Sequence, residues 1–333
     1  MWHIRVWTDG PLRASMAVHE ESTMTTLLLT HPAALDHETP TGHPECADRI
    51  KAVEAALEDE RFAMLAREAA PMANIEAVAL AHHRGYVEAL LEASPESGLV
   101  QIDSDTILSP GTMEAALRGA GAATLAVDEV MAGKVRNAFS AMRPPGHHAE
   151  RRAAMGFCFF NNAAIAARWA RHHHGAERVA IMDWDVHHGN GTQDIFWDDP
   201  DVLYISTHEM PLFPGTGDPN ERGAHDNILN IALSPGDGSD TFREVMTTGI
   251  VPRLTDFAPD LLIISAGFDA HWRDPLGSVN LTEADFAYAT KALMRVAERS
   301  CAGRVVSILE GGYDLVGLAK SVAAHVETLM DPA

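Results

Sequence analysis

Cysteine is scarce in this sequence, with three residues among 333. Cys46, Cys158 and Cys301 are odd in number and widely spaced, which argues against a disulfide framework and against a zinc site built from thiolates. Long apolar runs are also missing, since none approaches the roughly 18 to 20 residues that a membrane helix needs. The N-terminus lacks a signal-peptide pattern. The sequence therefore predicts a cytoplasmic protein that does not bind membranes.

Basic residues are also few in this sequence. Lys and Arg total 25 against 47 Asp and Glu, which gives a formal net charge of −22. This excess of negative charge opposes general adhesion to nucleic acid or to anionic lipid. Nucleic acid is therefore not an expected partner, whereas a cationic substrate would be attracted.

Low-complexity tracts, internal repeats and Gly/Ser linkers are absent, and the composition is that of an ordinary globular protein. Length alone allows one large α/β domain or two smaller ones. Because no linker divides the chain, we predict a single domain over residues 24–333. Residues 1–23 show no clear period and look unlike the rest of the chain, so we interpret them as an N-terminal extension that is not necessarily native.

Short apolar strands alternate with helical patterns from Thr25 onward. Strands separated by helices imply parallel pairing through right-handed crossovers, and continuously apolar strands are typical of a sheet covered on both faces. The sequence therefore predicts a three-layer α/β fold. Asn161 is a candidate helix cap, and Thr282 with Asp285 forms an acidic capping box. The predicted helices cover residues 47–57, 113–131, 161–173, 242–254, 283–299 and 316–330.

Five apolar stretches each run directly into polar residues that can carry chemistry. Parallel sheets bind ligands beyond the carboxyl ends of their strands, so we expect the five following loops to converge on one crevice. The stretches are 138–142, 179–182, 202–206, 261–265 and 305–309, and the polar residues that come after them include His147 and His148, Asp183 to Asn190, His208, Asp269 and Glu310 to Tyr313.

Asp185, His187 and Asp269 are the predicted metal ligands. Asp185 and His187 are two residues apart, so on an extended segment both side chains point to the same side. Asp269 follows another strand and supplies a second carboxylate. One imidazole and two carboxylates suit Zn²⁺, with Fe²⁺ or Co²⁺ as alternatives. An isolated Asp-x-His pair more often caps a helix or binds loop amides, and the neighbouring polar clusters are what favour a metal site here.

Other residues of the same loops suit hydrolytic chemistry. The adjacent His147 and His148 offer a base for water, although a lone His pair is more often structural. Asp183 can accept a hydrogen bond from an imidazole and raise its basicity, and Asn190 can orient the other ring. Tyr313 follows two glycines and can donate to a developing oxyanion, although a Gly-Gly-Tyr segment by itself is usually only a turn.

Six motifs together resemble the histone deacetylase superfamily over roughly residues 25–325. Trp184, Asn190 and Glu310 resemble the class II branch and its bacterial acetylpolyamine amidohydrolase relatives. The motifs, in chain order, are residues 143–148 (RPPGHH), 156–162 (GFCFFNN), 183–192 (DWDVHHGNGT), 213–217 (FPGTG), 265–269 (SAGFD) and 310–313 (EGGY).

The resemblance implies an arginase/deacetylase fold with a mostly parallel eight-stranded sheet and one zinc ion held by the three predicted ligands. It implies that His148 is the general base and then the general acid, and that His147, paired with Asp183, gives electrostatic support. Tyr313 would polarise the amide carbonyl. The implied reaction is hydrolysis of an acyl-lysine side-chain amide by metal-activated water.

The resemblance also implies substrate and ion contacts. A narrow tunnel for the acyl-lysine stem would be flanked by Phe157 and Phe213, with Gly156 in its wall. Asp103 would bind substrate backbone amides at the rim, and Leu276 resembles the protein-deacetylating branch. A structural K⁺ or Na⁺ would be bound by main-chain carbonyls of Asp183, Asp185 and His187, together with Ser206 and Thr207.

The sequence is also compatible with two other functions. Acetylpolyamine hydrolysis fits the acidic composition, while Leu276 argues against it. A non-catalytic acyl-lysine binding module would keep the pocket without turnover. The expected partners are an acylated lysine in a peptide or protein, or an acylated small amine, and the chain is compatible with a homo-oligomer.

Overall fold

A central sheet organises the computed structural model, which describes residues 25–331. Eight strands lie in the order β2-β1-β5-β10-β9-β6-β7-β8, and every adjacent pair is parallel. A separate antiparallel hairpin joins β3 and β4. The strands are β1 (Thr26–Thr30), β2 (Ala66–Ala69), β3 (Val100–Gln101), β4 (Ile107–Leu108), β5 (Asn137–Ser140), β6 (Val179–Asp183), β7 (Val202–Glu209), β8 (Ile228–Leu233), β9 (Leu261–Ala266) and β10 (Val305–Leu309).

Helices cover the sheet in two rows. One row packs α4 against α5, and the other packs α1 and α9 against α10, with α8 beside α9. The helices are α1 (Ala47–Leu57), α2 (Ile75–Val78), α3 (Arg84–Ala93), α4 (Thr112–Met131), α5 (Asn162–His174), α6 (Asn190–Phe196), α7 (Ser239–Val245), α8 (Val251–Phe257), α9 (Glu283–Cys301) and α10 (Leu315–Met330). None of these helices is both long enough and apolar enough to cross a bilayer.

The central strands β5, β6, β9 and β10 are buried along their whole length. Helices on both faces exclude water from these strands, which explains their continuous apolar sequences. The predicted three-layer α/β fold with an eight-stranded sheet is therefore confirmed, and in this sheet all pairs are parallel. The predicted N-terminal extension over residues 1–23 lies outside the described residues.

The predicted helix caps are confirmed. Asn161 accepts a hydrogen bond from the Ala164 amide at the start of α5, and Thr282 and Asp285 form the capping box of α9. Residues 242–254 are helical as predicted, but they do not form a regular α-helix throughout. A π-helical turn, Met246–Ile250, separates α7 from α8. Pro252 lacks an amide proton and its ring crowds the preceding turn, so the helix widens there instead of continuing regularly.

Candidate active site

The loops that follow the central strands meet at one edge of the sheet, and hydrogen bonds join them. His147, after β5, lies 3.0 Å from a carboxylate oxygen of Asp183 at the end of β6. The Val186 amide donates to Asp269 after β9, and the Gly311 amide after β10 donates to Asp185. Four of the five loops that we expected to converge therefore meet here.

Asp185, His187 and Asp269 form a compact buried cluster at this edge. His187 Nδ1 lies 3.1 Å from Asp185 Oδ1 and 3.1 Å from Asp269 Oδ2. One ligand atom from each residue lies within 4.8 Å of the other two. Within residues 25–331, no other group of three His, Cys, Asp or Glu side chains has this proximity. The spacing fits three atoms that each bind one ion at about 2.0 to 2.2 Å.

Electrostatics at the cluster favour a cation. Burial raises the pKa of Asp269, and the neighbouring carboxylate of Asp185 raises it further, to about 7. Burial lowers the pKa of His187, but hydrogen bonds to Asp185 and Asp269 outweigh this effect and raise it to about 10. Two buried carboxylates so close together need a positive partner, which a proton or a divalent ion can supply. The donor set therefore fits a metal ion.

Two glycines allow the carboxylates to come this close to the backbone. A Cβ atom at Gly311 would overlap Asp269 Oδ2 and would lie 2.6 Å from Asp185 Oδ2. A Cβ atom at Gly267 would also overlap Asp185 Oδ2. Any larger residue at these positions would displace the carboxylates, so the glycines belong to the construction of the cluster.

His147 and His148 lie side by side but have different partners. Their ring centroids are 4.0 Å apart. Asp183 Oδ2 accepts hydrogen bonds from His147 Nδ1 at 3.0 Å and from the Tyr204 hydroxyl at 2.9 Å. Burial lowers the pKa of His147, but the charges of Asp185 and Asp183 outweigh burial and raise it to about 10. His147 therefore favours a positive charge.

His148 has a neutral partner. Its Nδ1 lies 2.9 Å from Asn190 Oδ1, and the Asn190 amide nitrogen donates to Glu150 Oε1 at 3.0 Å. This second bond fixes the amide oxygen toward His148, so Nδ1 carries the proton and Nε2 is the free acceptor. Burial, with the adjacent His147 and His187, holds the pKa of His148 well below its ordinary value. His148 is therefore a neutral base.

Glu310 is a buried carboxylate whose role the sequence did not indicate. Its Oε2 accepts from the amides of Gly146 at 2.6 Å and His147 at 3.1 Å, and its Oε1 accepts from Ser265 Oγ at 3.0 Å. Burial raises the pKa of Glu310 to about 7. These bonds fix the loop that carries both histidines. Glu310 belongs to the motif of residues 310–313, but the sequence alone does not show which main-chain amides its carboxylate binds.

Tyr313 is held by contacts on both sides of its loop. Its amide donates to Asp274 Oδ2 at 2.6 Å, and the Arg49 guanidinium lies 4.9 Å from the centre of its ring. Arg49 also donates to the Gly312 carbonyl at 2.7 Å. Burial keeps the pKa of Tyr313 well above its usual value, so the phenol stays a hydrogen-bond donor. No sequence pattern pointed to Arg49 or Asp274, because both act across long chain separations.

A narrow pocket leads from the surface to His148, His187 and Tyr313. Its volume is about 260 Å³. Phe213 is 39% exposed and lies edge-on to the His148 ring at 5.1 Å. Phe157 lies edge-on to the Tyr313 ring at 5.9 Å. The other lining residues are Asp105, Gly156, Leu212 and Leu276.

Asp103, which was predicted to lie at the pocket rim, is not among the residues that line the pocket. It is exposed in the turn between β3 and β4 and accepts a bond from the Ser104 amide, whereas Asp105 lines the pocket. The two carboxylates are two residues apart in one short loop. Sequence spacing could not decide which of them faces the pocket, because the turn conformation determines this.

The residues predicted to bind a monovalent ion lie beside the metal cluster. Asp183 pairs with Ser206 in neighbouring strands, and Ser206 Oγ lies 2.9 Å from His208 Nδ1. Thr207 Oγ1 is buried and has no hydrogen-bond partner within the described part of the chain. An unsatisfied buried oxygen is compatible with an ion at this place.

Comparison with known proteins agrees with this arrangement. A family model described as the histone deacetylase domain matches residues 43–329. The chain belongs to the histone deacetylase family. Members of this family are zinc-dependent in general, and the buried Asp-His-Asp cluster could bind such an ion.

Individual relatives of this histone deacetylase family protein extend over most of the chain. A probable deacetylase of Archaeoglobus fulgidus is 40% identical over 304 residues, covering 88% of this chain and 83% of the relative. A histone deacetylase-like amidohydrolase of Pseudomonas aeruginosa is 40% identical over 277 residues, covering 82% and 73%. The crystal structure of the HDA15 HD domain has a TM-score of 0.88 and 35% identity, covering 93% of this chain and 89% of that one. These similarities support amide hydrolysis as the general activity.

Proposed function

We propose that this protein is a zinc-dependent deacylase that hydrolyses the side-chain amide of N-acyl-lysine. One observation carries the proposal: His187 of the metal cluster, the neutral His148 and the Tyr313 phenol line the same narrow pocket. A metal ligand, a base and a hydrogen-bond donor that face one space are the groups that amide hydrolysis requires.

Asp185, His187 and Asp269 would hold the zinc ion. The cluster reaches the pocket through His187, so a substrate in the pocket can approach the ion from that side. When bound, zinc would act as a Lewis acid that polarises a carbonyl and lowers the pKa of water to roughly 7. Proton transfer and substrate orientation are then the tasks of the protein side chains.

His148 would transfer the protons. Asn190 holds the proton on Nδ1, so Nε2 can remove a proton from the attacking water. The resulting imidazolium can then give that proton to the leaving amine. His147, held by Asp183, would stabilise the negative charge that builds up beside it. Tyr313 would donate a hydrogen bond from its hydroxyl group to the carbonyl oxygen as that oxygen becomes negative, and would keep its proton.

The pocket walls would bind the aliphatic stem of the substrate. Phe157, Phe213 and Leu276 present apolar surface along the approach to the histidines. Gly156 keeps one wall thin, since a Cβ atom there would overlap the His148 ring. An uncharged acylated chain fits such walls, and an unacylated ammonium would lose its hydration there.

Beside this site, we propose that K⁺ or Na⁺ is bound by main-chain oxygens of Asp183, Asp185 and His187 with Ser206 and Thr207. The buried Thr207 Oγ1, which has no hydrogen-bond partner among residues 25–331, supports this assignment. The ion would fix the loop that carries the zinc ligands. Removal of both K⁺ and Na⁺ from the buffer should lower turnover and thermal stability together, and addition of either ion should restore them.

Turnover of an acetyl-lysine peptide tests the proposed function. The protein should release acetate, a chelator should abolish the release, and Zn²⁺ should restore it. A non-catalytic acyl-lysine binding module would bind the peptide without releasing acetate. Peptide binding without turnover, at full zinc loading, would contradict the proposal.

Acetylpolyamine hydrolysis is a second candidate function. The observation in its favour is the carboxylate of Asp105 in the pocket lining, within a chain of net charge −22. A side-by-side assay of the acetyl-lysine peptide and N-acetylputrescine separates the two activities. We expect a higher kcat/KM for the peptide, because the pocket is lined at residue 276 by leucine rather than by an acidic residue.

A further inference from the structure

Glu150 lies two residues after His148 and is not among the described residues that line the pocket. It is half-buried, and its Oε1 accepts a hydrogen bond from Asn190 Nδ2 at 3.0 Å. The Oδ1 atom of the same asparagine lies 2.9 Å from His148 Nδ1. A carboxylate outside the pocket is therefore joined to the ring of His148 through one side-chain amide.

The acceptors around Asn190 determine which way this amide faces. Its Nδ2 lies 3.0 Å from Glu150 Oε1, 3.2 Å from Met155 Sδ and 3.5 Å from the main-chain oxygen of His148. Glu150 makes the shortest of these three contacts and is the charged acceptor among them. Hydrogen bonds to an ionised acceptor are about twice as strong as neutral ones, and a thioether sulfur accepts only weakly. The carboxylate of Glu150 therefore has the largest effect on the orientation of the amide.

The main chain holds both ends of this connection. The Glu150 amide donates to the Ala153 carbonyl at 2.9 Å, which fixes the turn that carries Glu150. Helix α6 begins at Asn190 and packs closely on the same loop. A Cβ atom at Gly191 would overlap the Ala149 carbonyl, so the close approach of the helix requires glycine there. The separation of Glu150 and Asn190 is therefore set by the fold.

The charge of Glu150 is not used in an ion pair. Within residues 25–331, no Lys, Arg or His side chain pairs with this carboxylate, and Asn190 is the side chain that donates to it. The adjacent Arg151 and Arg152 are exposed. A carboxylate without a cationic partner interacts favourably with any positive charge that develops nearby. In the proposed reaction, that charge develops on His148.

We propose that Glu150 is a positioning residue for the reaction and acts on His148 through Asn190. It holds the amide oxygen toward His148, which keeps the proton on Nδ1 and leaves Nε2 free to take a proton from water. Its negative charge also stabilises the imidazolium that forms at His148, through the polarised amide between them. No proton moves to Asn190 or Glu150. This inference rests on the proposed deacylase function.

Two substitutions separate the orienting bond from the charge. Glu150→Gln keeps an oxygen that can accept from Asn190 but removes the charge, so kcat should fall about three- to tenfold. Glu150→Met keeps the length of the side chain without an oxygen, so the Asn190 amide can turn around and kcat should fall about 10- to 100-fold. KM for an acetyl-lysine peptide should stay within twofold in both variants, because Glu150 does not line the pocket.

The matched control is Glu92→Gln, which removes an exposed charge from α3 and should change neither constant. A change confined to KM in the two Glu150 variants, or a kcat within twofold of the original in both, would overturn the inference.

A substitution of Asn190 tests whether Glu150 acts through that residue. Asn190→Asp places a carboxylate directly beside His148, so the charge of Glu150 is no longer needed and repels the new carboxylate. In this background, Glu150→Gln should no longer lower kcat. Two residues that act in one hydrogen-bonded chain give such non-additive effects. An equal loss of kcat from Glu150→Gln in both backgrounds would show that Glu150 does not act through Asn190.

A spectroscopic measurement tests the inference without turnover. Proton–nitrogen correlation spectra distinguish an imidazole that carries its proton on Nδ1 from one that carries it on Nε2. In the zinc-loaded protein at neutral pH, the His148 signal, assigned by its loss in His148→Gln, should show the Nδ1–H form. Glu150→Gln should keep this form, and Glu150→Met should convert a measurable fraction to the Nε2–H form.

The spectra distinguish failure of this inference from failure of the proposed function. An unchanged Nδ1–H signal in Glu150→Met would overturn the orienting role of Glu150 even if the enzyme hydrolyses acetyl-lysine. The expected change of tautomer would uphold that role even if no acyl-amine is hydrolysed.

Discussion

The floor and the mouth of the pocket are built differently. At the floor, Asp185 and Asp269 are at most 1% exposed, and each has a main-chain amide bound to one of its oxygens. At the mouth, Phe213 is 39% exposed, and within residues 25–331 only one oxygen of Asp105 has a hydrogen-bond donor. A floor with satisfied bonds holds reacting groups in fixed geometry, and a mouth with fewer contacts can adapt to different substrates. We therefore expect floor substitutions to change kcat and metal binding, and mouth substitutions to change KM.

The largest effect should come from removing a floor carboxylate that binds the metal. Asp269→Ala should lose zinc and all measurable turnover, because two remaining side chains cannot hold the ion tightly. Elemental analysis of the purified variant checks this directly. Asp256→Ala, an exposed aspartate of α8, is the matched control and should keep one zinc ion per chain. Stoichiometric zinc in Asp269→Ala would show that this carboxylate is not a ligand.

Tyr313→Phe should give the next largest effect. Loss of one oxyanion donor typically costs about 10² to 10³ in rate, so kcat should fall by that factor while zinc content stays at one ion per chain. Steady-state kinetics with an acetyl-lysine peptide, together with metal analysis, measures both quantities. A rate within a few fold of the original enzyme would refute the role of the phenol.

Asp183→Asn should have a smaller effect that is still confined to kcat. The substituted asparagine would keep the shape of the side chain but lose the charge that Asp183 places 3.0 Å from His147. Loss of such a supporting carboxylate typically costs about 10- to 100-fold. Kinetics at saturating peptide should show this fall with little change in KM. A change in KM alone would show that Asp183 contributes to substrate binding and not to the reaction at the floor.

At the mouth, Phe213→Ala should raise KM severalfold with little change in kcat. The exposed ring packs against His148 but bonds to none of the reacting groups. Its loss removes apolar surface from the stem of the substrate, worth roughly 1 to 2 kcal/mol for a partly buried ring. A loss of kcat comparable to that of Tyr313→Phe would erase the distinction between floor and mouth.

The smallest effect on activity should come from substitution of His82. This residue contacts the floor only indirectly, through the main chain at Asn161. Its Nε2 accepts from the Asn161 amide at 2.8 Å, and burial lowers its pKa to about 4. In the unfolded chain the pKa is about 6.5, so between these values the unfolded state binds more protons. The stability that neutral His82 contributes is complete above pH 6.5 and is lost as the pH falls toward 4.

Chemical denaturation at a series of pH values checks this expectation. The free energy of unfolding should fall between pH 6.5 and 4, and His82→Gln should make that part of the curve flatter. An amide oxygen can still accept from Asn161 but does not titrate in this range. An unchanged slope in the variant would show that other groups cause the acid sensitivity.

The floor was predictable from the sequence because each of its groups directly follows a buried strand. In a parallel sheet, adjacent carboxyl ends place such residues together whatever the loops do later. Asp185, His187 and Asp269 could therefore be grouped before any coordinates were known. The mouth depends on turn conformations and on contacts between distant segments. The choice between Asp103 and Asp105, and the contacts of Arg49, arise only when the chain is folded.

The secondary structure also divides into elements that the sequence predicts and elements that it does not. Strands and long helices follow from apolar periodicity, and most predicted bounds lie within two residues of the observed ones. The elements that were not predicted are the helices α2, α3 and α6, the strands β2, β3, β4 and β8, and the π-helical turn Met246–Ile250. Tertiary contacts determine α6 and the Pro252 ring determines the π-helical turn, rather than a repeating pattern.

Anomalous scattering at the zinc edge, from crystals grown with one equivalent of Zn²⁺, is the most direct test of the metal site. We predict a single strong peak at roughly 2.0 to 2.2 Å from one oxygen each of Asp185 and Asp269 and from His187 Nδ1. A fully active protein whose zinc peak lies elsewhere, or that shows no peak, would contradict this assignment.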